Sequence, residues 1–169
     1  DPLPLMPVRD VVIFTDMLLP LFVGRKKSIQ AVEEALSKDG YLLLATQKDP
    51  NVEDPGTDDI YGVGTVGRIL RMLKLPDGRA KTLVQGVAKA RIKRYVRTRG
   101  FYRVKVETLE EQAAENVDLE VEALMRNVRE YSEKILALRG ELTSDVSAIL
   151  ESIESPGKLA DLVASNLKL

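Results

Sequence analysis

The chain contains no cysteine, no histidine and no tryptophan in its 169 residues. Without cysteine, disulfides and thiolate ligands are excluded, and the composition is compatible with a reducing cytosol. Without histidine, most zinc sites and the commonest general base are excluded. We therefore expect no catalytic group, no metal site and no bound cofactor in this chain.

Long apolar segments are also missing. No run of about 18 apolar residues occurs, so no segment is predicted to cross a membrane. The chain does not open with a charged stretch followed by an apolar one, as a secretion signal would. With 44% apolar and 30% charged residues, the composition is typical of a soluble globular protein.

Charge is unevenly distributed, although the net charge is −1. Residues 1–108 contain 19 basic and 13 acidic residues, whereas residues 109–169 contain 6 and 13. Period-two apolar patterns dominate the first part and helical spacing dominates the second. We therefore predict an α+β fold: a β-rich domain over 1–108 with one inserted helix, and a helical subdomain over 109–169.

An antiparallel meander is predicted in the middle of the β-rich domain. A strand over Val63–Leu75 ends at the turn Pro76-Asp77-Gly78, and a second strand returns from Arg79. Gly86 is predicted to end that second strand. Two further strands follow up to Val106, in which apolar and charged residues alternate.

Three elements are predicted ahead of the meander, and the last of them is a short, fully apolar strand over Tyr41–Ala45. Prolines at positions 4 and 7 limit Leu3–Val8 to an edge strand, because proline cannot donate to a strand ladder. The spacing of apolar residues predicts an amphipathic helix over Arg25–Lys38, ending near Gly40.

A long helix is predicted over about 116–139, with Asn116 as its N-cap. Its apolar residues recur in steps of four and three for about three heptads. They are Val117, Val121, Leu124, Val128, Tyr131, Ile135 and Leu138. This pattern fits an internal bundle seam or a coiled coil with another chain, and the sequence leaves both open.

Two shorter helices are predicted after Gly140, which ends the long one. Thr143 or Ser144 is the predicted N-cap of the first. Ser155-Pro156 begins the second, with serine at the N-cap and proline at the first helical position.

Two patterns resemble ligand sites but lack the context that such sites need. Gly62–Gly67 fits G-x-G-x-x-G, yet an acidic loop precedes it and a hairpin follows, so we interpret the glycines as allowing a bulge or close strand packing. The acidic loop at 48–59 lacks the glycine and glutamate spacing of an EF-hand.

The stretch 79–105 contains ten basic residues and no acidic one. Tyr95, Phe101 and Tyr102 are interleaved with them, as on nucleic-acid-binding surfaces. The alternative is the solvent face of a meander, where lysine and arginine also protect strand edges. Binding of RNA or DNA is therefore an alternative function.

Apolar residues gather near two predicted turns. They are Met17, Leu18 and Leu19 at the first, and Met72, Leu73 and Leu75 at the second. The strand Val63–Leu75 has apolar residues on both faces, which a strand with one wet face does not explain. If exposed, these six residues would form a surface for binding other proteins. Burial on both sides within a closed barrel is the alternative.

Eight segments, taken in order, form a specific pattern. They are Leu3–Phe14, Pro20–Arg25, Lys27–Ile29, Gln47–Pro50, Tyr61–Val66, Leu75–Gly78, Gly86–Arg91 and Pro156–Asp161. Together they resemble the N-terminal domain of the bacterial Lon proteases over essentially the whole chain. One departure is Phe14-Thr15-Asp16, where that family commonly has Pro-Gly or Pro-His.

The resemblance implies a PUA-like β pseudo-barrel followed by helices. It implies a cytoplasmic ATP-dependent serine protease as the parent protein, with a hexameric AAA+ ring, ATP and magnesium, and a Ser–Lys dyad beyond these residues. The domain itself would recognise unfolded or damaged proteins and support assembly. The six apolar residues would then be the substrate-binding patch, and the long helix could pair with a neighbour, as in a dimer.

Overall fold

A computed structural model describes residues 1–110 and 117–167. The chain divides into two compact units, Asp1–Glu110 and Glu111–Leu169.

The first unit contains six strands, one α-helix and one 3₁₀ turn. These are β1 (Leu3–Val8), β2 (Leu18–Val23), α1 (Lys26–Leu36), β3 (Tyr41–Thr46), a 3₁₀ turn (Thr57–Asp59), β4 (Val63–Lys74), β5 (Ala80–Arg97) and β6 (Tyr102–Thr108). The sheet order is β2-β5-β4-β3-β1-β6, and β6 also pairs with β5. This second pairing closes five strands into a barrel and leaves β2 as an extension, which confirms the predicted α+β class.

The strand β5 runs unbroken for 18 residues, so the prediction that Gly86 ends it was wrong. Instead, Gly86 accommodates a close backbone approach. A Cβ at this position would lie 2.1 Å from the carbonyl oxygen of Phe14. Two hydrogen bonds join the turn before β2 to Gly86. The N–H of Asp16 donates to the carbonyl oxygen of Gly86, and the N–H of Gly86 donates to the carbonyl oxygen of Met17.

The strand β1 is interior, which corrects its prediction as an edge strand. It pairs in parallel with β3 through Leu5–Val8 and antiparallel with β6 through Leu3–Leu5. The carbonyl of Val8 points toward β3 and accepts from the N–H of Gln47, which follows that strand. Because backbone groups alternate along a strand, those of Pro7 point away from β3, and the carbonyl of Pro7 accepts from Arg25. Pro4 points toward β3 but lies before that pairing begins. Neither proline therefore interrupts a ladder.

The strand β4 contains a bulge that changes which side chains share a face. Ile69 pairs with Val84 and Arg71 with Leu83, so Leu70 is an extra residue. Strict alternation predicted Ile69 with Leu73 on one face and Leu70 with Met72 on the other. The bulge places Ile69 and Met72 toward the core, whereas Leu70 and Leu73 are exposed.

The core of the first unit consists of two clusters. One lies under α1 and the β2 end of the sheet, with Val32, Leu42 and Val84 at its centre. The other lies inside the closed strands around Leu43 and Val104. The helix α1 contributes Val32 and Ala35 to the first cluster, with Ile29 partly buried against it, and Ala31 is also buried, as the spacing predicted. Leu36, which the same spacing placed on the apolar face, is 41% exposed.

The glycine motif serves strand packing, as we interpreted. A Cβ on Gly64 would lie 2.3 Å from the carbonyl oxygen of Leu44 on β3. No side chain can occupy that gap, because real Cβ atoms do not approach an oxygen so closely. The motif therefore allows β4 to lie against β3.

The turn before β2 contains a residue in the left-handed region. Asp16 has φ 69°, and it is the only such non-glycine residue in the described chain. Aspartate tolerates this region better than most residues do. The position lies within the segment that departs from the Lon pattern.

Replacing Asp16 with valine should lower the free energy of unfolding by about 1–2 kcal/mol, because a β-branched residue is disfavoured at positive φ. Asp16→Gly and Asp16→Asn are matched controls that should stay within about 0.5 kcal/mol, since both tolerate the conformation. Urea unfolding followed by circular dichroism measures all three variants. Equal stability of the valine and glycine variants would contradict this account of the turn.

The second unit has three helices in its described part: α2 (Leu119–Leu138), α3 (Ser144–Ser152) and α4 (Pro156–Ser165). The N-cap of α2 is Asp118, whose side chain accepts from the N–H of Val121 at 2.8 Å. This corrects the prediction of Asn116, which lies outside the described residues. The predicted caps Thr143 and Ser155 are confirmed.

The three helices pack around Met125, Leu150 and Leu159, which are buried. Arg129 of α2 donates through Nε to the carbonyl of Leu150 at 3.1 Å and through Nη2 to that of Ile153. It thereby satisfies acceptors at the end of α3. No helix in the described chain is long and apolar enough to span a membrane.

Candidate substrate-binding surface

The outer face of β2, β5 and β4 carries the largest apolar side chains exposed on the first unit's sheet. The pairing aligns three cross-strand rows: Phe22–Lys81–Leu73, Pro20–Leu83–Arg71 and Leu18–Gln85–Arg68. Opposed residues in a sheet point to the same face. We define the outer patch as Leu18, Pro20, Phe22, Leu70, Leu73 and Leu83.

The six predicted patch residues divide between the two faces of the sheet. Leu18 and Leu73 are 57% and 54% exposed and belong to the outer patch. Met17, Leu19 and Met72 pack partly against the core. Leu75 is half-buried at the turn after β4.

Sequence reasoning missed Phe22, which at 62% is more exposed than any leucine of the outer patch. The signal was available, because period-two alternation in β2 separates Leu18, Pro20 and Phe22 from Leu19, Leu21 and Val23. The sequence marks Met17–Val23 as an apolar run closed by Gly24, and that interpretation does not divide its residues between two faces. Leu70 was also missed, since the bulge that exposes it left no signal in the pattern.

Two cations lie near the ring of Phe22. The guanidinium of Arg79 lies 6.0 Å and the ammonium of Lys81 5.8 Å from its ring centroid. Arg79 is also paired with Asp77 at 2.7 Å. The patch is therefore an apolar strip with a positively charged end.

The strand β2 pairs with β5 alone, so its other edge is free along its whole length. Because the carbonyl of Met17 accepts from Gly86, every second residue from Met17 directs its backbone groups toward β5. The backbone groups of Leu18, Pro20 and Phe22 then point away from β5. Pro20 lies at a position where its missing N–H disrupts no pairing.

A groove of about 710 Å³ lies beside this edge. Its other wall is the end of β1 and the segment that follows, from Met6 to Val11. Its rim carries Arg9, Asp10 and Arg79. An extended chain could therefore lie along β2 with side chains on both faces.

Arg25 fixes one end of this groove. It donates to the carbonyl of Pro7 at 2.6 Å, to Oε1 of Gln47 and to the carbonyl of Glu53 at 3.3 Å. Burial lowers the pKa of the Arg25 guanidinium, and nearby Arg9 lowers it further. These contacts hold β1 and the acidic loop at the start of α1.

The basic stretch 79–105 is partly neutralised within the unit. Arg79 pairs with Asp77, Lys93 with Glu107 and Arg103 with Glu34. Arg97 stacks on Phe101 with its guanidinium carbon 4.7 Å from the ring centroid. These contacts reduce the charge that the stretch can offer to phosphates.

The acidic loop directs its carboxylates to internal partners. Asp54 pairs with Lys27 at 2.7 Å, and Asp59 accepts from the N–H of Gly56 at 2.8 Å. The hydrogen bond to Asp54 raises the pKa of Lys27. Across the described residues, no group of three potential metal ligands comes together.

The predicted heptad residues of α2 also divide. Val117 and Val121 pack against the buried cluster of the second unit. Five others form an exposed stripe: Leu124, Val128, Tyr131, Ile135 and Leu138. We call these five exposed residues the α2 stripe. Met125, which is outside the heptad, is the α2 residue buried in the cluster of the second unit.

The profile of the ATP-dependent protease La (LON) substrate-binding domain matches residues 2–169. The chain belongs to this Lon domain family. Curated relatives agree: the Lon proteases of Desulfatibacillum aliphaticivorans and Desulfovibrio desulfuricans are 60% and 54% identical over 99% and 100% of the chain. The chain spans about a fifth of the length of these relatives, 20% and 19%.

Solved structures show the same Lon domain fold. The N-terminal domain of the Mycobacterium avium complex Lon protease superimposes with a TM-score of 0.77 at 21% identity, covering 100% of this chain and 84% of that one. A Lon N-terminal domain protein from Xanthomonas campestris gives 0.57 at 16% identity, with 99% of both chains covered. The resemblance seen in the sequence is thereby confirmed.

Proposed function

We propose that this Lon domain binds exposed apolar segments of unfolded or damaged proteins through the outer patch. Membership of the substrate-binding family supports a role with protein substrates. The observation that carries the specific proposal is the cluster of exposed Leu18, Phe22 and Leu73 on adjacent strands. Apolar patches of this kind mark sites of contact with other proteins.

The geometry of the patch favours weak and tolerant binding. Phe22 and Leu73 are opposed through Lys81, about 10 Å apart at two strand spacings. Burying one such side chain completely contributes about 1.5–3 kcal/mol. Because a flat strip buries each of them only partly, several weak contacts would act together. Such a surface would discriminate unfolded from native chains rather than one sequence from another.

Titration of the 169-residue chain with a protein in its native and its heat-unfolded state tests this proposal. Binding is expected for the unfolded state alone, and it should hold or strengthen as salt is raised. Equal binding of both states would contradict the proposal. Loss of binding with rising salt would instead favour RNA or DNA as the ligand, because phosphate contacts weaken steeply with salt.

We also propose that the longer protein that carries this domain is an ATP-dependent cytoplasmic serine protease, as the resemblance implies. The family description supports the ATP-dependent protease. Its ATP, magnesium and proteolytic residues would lie in the remaining four-fifths of the length. The domain would deliver chains to that machinery without taking part in the chemistry.

Self-association is a second proposed role, and the α2 stripe favours it. Tyr131 and Leu138 are 65% and 89% exposed, and Leu124 and Ile135 lie on the same heptad face. A coiled coil with a second copy would bury this face, whereas the helix packing of the second unit does not. The parent's hexamer would bring copies of the domain close together.

Sedimentation equilibrium at several concentrations tests this role. The unmodified chain should show an apparent mass that rises with concentration, whereas Leu124→Asp should remain monomeric. Ala123→Asp on the same helix introduces the same charge at an exposed position away from the coiled-coil seam and should behave like the unmodified chain. A monomer at all concentrations, or equal behaviour of the two variants, would contradict the assignment.

A further inference from the structure

We infer that an extended polypeptide segment adds to the free edge of β2 as an extra strand. This inference rests on the proposed function and identifies how a substrate would be held. The main chain of an extended segment carries donors and acceptors at regular spacing, and a free strand edge is complementary to it. The partner is therefore a stretch of unfolded protein with alternating apolar residues.

The free edge of β2 offers unpaired backbone groups at regular spacing. Leu18 and Phe22 each direct one N–H and one carbonyl away from β5, and Pro20 directs a carbonyl. That is two donors and three acceptors along six residues, or about 20 Å of strand. None of these groups has a backbone partner in the described part of the first unit.

The space beside the edge is large enough for an added strand. The groove beside the edge has a volume of about 710 Å³, within the range of about 300–1,000 Å³ common for ligand sites. Its far wall includes Met6, Val8 and Val11. Alternate side chains of an added strand would enter this groove, and the others would lie beside Leu18 and Phe22 on the outer patch.

The cations beside the edge decide which charge an added strand should carry. Asp77 already pairs with Arg79, so the cations that remain are Arg9, which lines the groove next to Asp10, and Lys81, which lies beside Phe22. A segment that mixes apolar and acidic residues is complementary to this rim. Main-chain pairing also explains tolerance of sequence, because every residue except proline offers the same backbone groups.

The test uses an eight-residue peptide in which leucine alternates with glutamate. Two variants carry N-methyl groups, one on every leucine and the other on every glutamate. In a strand, alternate N–H groups point to opposite edges, so only one set can face β2. One variant should bind at least tenfold more weakly, and the other should stay within twofold of the parent peptide. A shift of the peptide by one residue would turn its leucines to the other face of the sheet. The alternation of leucine and glutamate therefore keeps the same set of N–H groups facing β2.

Amide hydrogen exchange of the 169-residue chain gives a second readout. Saturating parent peptide should slow exchange at Leu18 and Phe22 at least tenfold. Leu19 and Leu21 should change less than twofold, since their N–H groups already face β5. Pro20→Ala adds a third donor at the edge and should strengthen binding by about two- to tenfold.

Three results would overturn the inference. Equal effects of the two methylated sets, or none, would show that no strand is added. Protection of Leu18 and Phe22 that rises with protein concentration in the absence of peptide would assign the edge to a second copy. In both cases selective binding of unfolded protein could persist, so the outer patch would stand. If neither peptide nor unfolded protein binds, the proposed function itself fails.

Discussion

Replacing Phe22 with aspartate is expected to weaken binding of an unfolded protein by about tenfold or more. Phe22 is 62% exposed in the free domain, so most of its ring is available for burial. Burying a phenylalanine contributes about 1.5–3 kcal/mol, and each 1.4 kcal/mol changes an equilibrium constant about tenfold. The carboxylate would also need desolvation against an apolar partner.

The fold should tolerate this change. The side chain lies on the outer face beside Arg79 and Lys81, and aspartate can pair with either cation. We expect the free energy of unfolding to change by less than about 0.5 kcal/mol, as for most surface substitutions. A loss of binding in a folded variant is therefore attributable to the patch.

Two further variants sharpen the measurement. Val96→Asp places the same charge at another exposed apolar residue of the sheet, on the far half of β5, and should leave binding within twofold. Phe22→Leu keeps an apolar side chain and should retain most of the affinity. If Phe22→Asp and Val96→Asp bind equally well, the outer patch is not the binding surface.

Replacing Gly86 with alanine should destabilise the first unit by about 3 kcal/mol, the upper part of the range for overpacked sites. The new Cβ would lie 2.1 Å from the carbonyl oxygen of Phe14 and 3.0 Å from its carbonyl carbon. These are backbone atoms, so no side-chain rotation relieves the clash. The segment Phe14–Met17 would have to leave β5 and break its two hydrogen bonds to Gly86.

Gly62→Ala is the matched control, since a Cβ there meets nothing within 4 Å. It should stay within about 0.5 kcal/mol of the unmodified chain. Urea unfolding followed by circular dichroism compares the two, with an unchanged dependence on urea indicating that only stability has changed. A loss of less than about 1 kcal/mol for Gly86→Ala would contradict the close approach, because overpacking typically costs at least that much.

Gly86→Ala should also weaken the binding of unfolded protein. The same turn leads into β2, which carries Leu18 and Phe22. Displacing the turn would move half of the outer patch and the free edge together. We therefore expect Gly86→Ala to weaken binding of unfolded protein even at temperatures where the domain remains folded.

Local signals in the sequence were sufficient for much of the fold. Asp77-Gly78 predicted the turn between β4 and β5, where Gly78 has φ 85° and Asp77 accepts from the N–H of Arg79 at 3.0 Å. The hydrogen bond to the Arg79 backbone lowers the pKa of Asp77. The α1 spacing and the caps Thr143 and Ser155 were equally local. Each depends on neighbours within a few residues, which a sequence displays directly.

The errors occurred where a distant partner decided the outcome. Gly86 looked like a strand end, but it is an opening for the carbonyl of Phe14, about 70 residues away. The prolines of β1 argued for an edge, but the two neighbouring strands cover different halves of that strand. No local pattern contains these pairings.

The α2 stripe shows the same limit. The heptad spacing identified the apolar residues, but it could not say which of them the bundle would cover. Met125, one position beyond Leu124, is the residue buried against Leu150 and Leu159. The direction from which α3 and α4 approach the helix decides this.

By itself, the sequence determined the α+β class, the order of most elements, the Lon domain family and the absence of cysteine and histidine chemistry. Those properties depend on composition, on local spacing and on a pattern of segments along the chain. The tertiary structure alone decided which apolar residues face the solvent. The bulge at Leu70 sets the faces of β4 through its register with β5. Alternation separates the two faces of β2, but only the packing of Leu19, Leu21 and Val23 against the core decides that the other face meets the solvent.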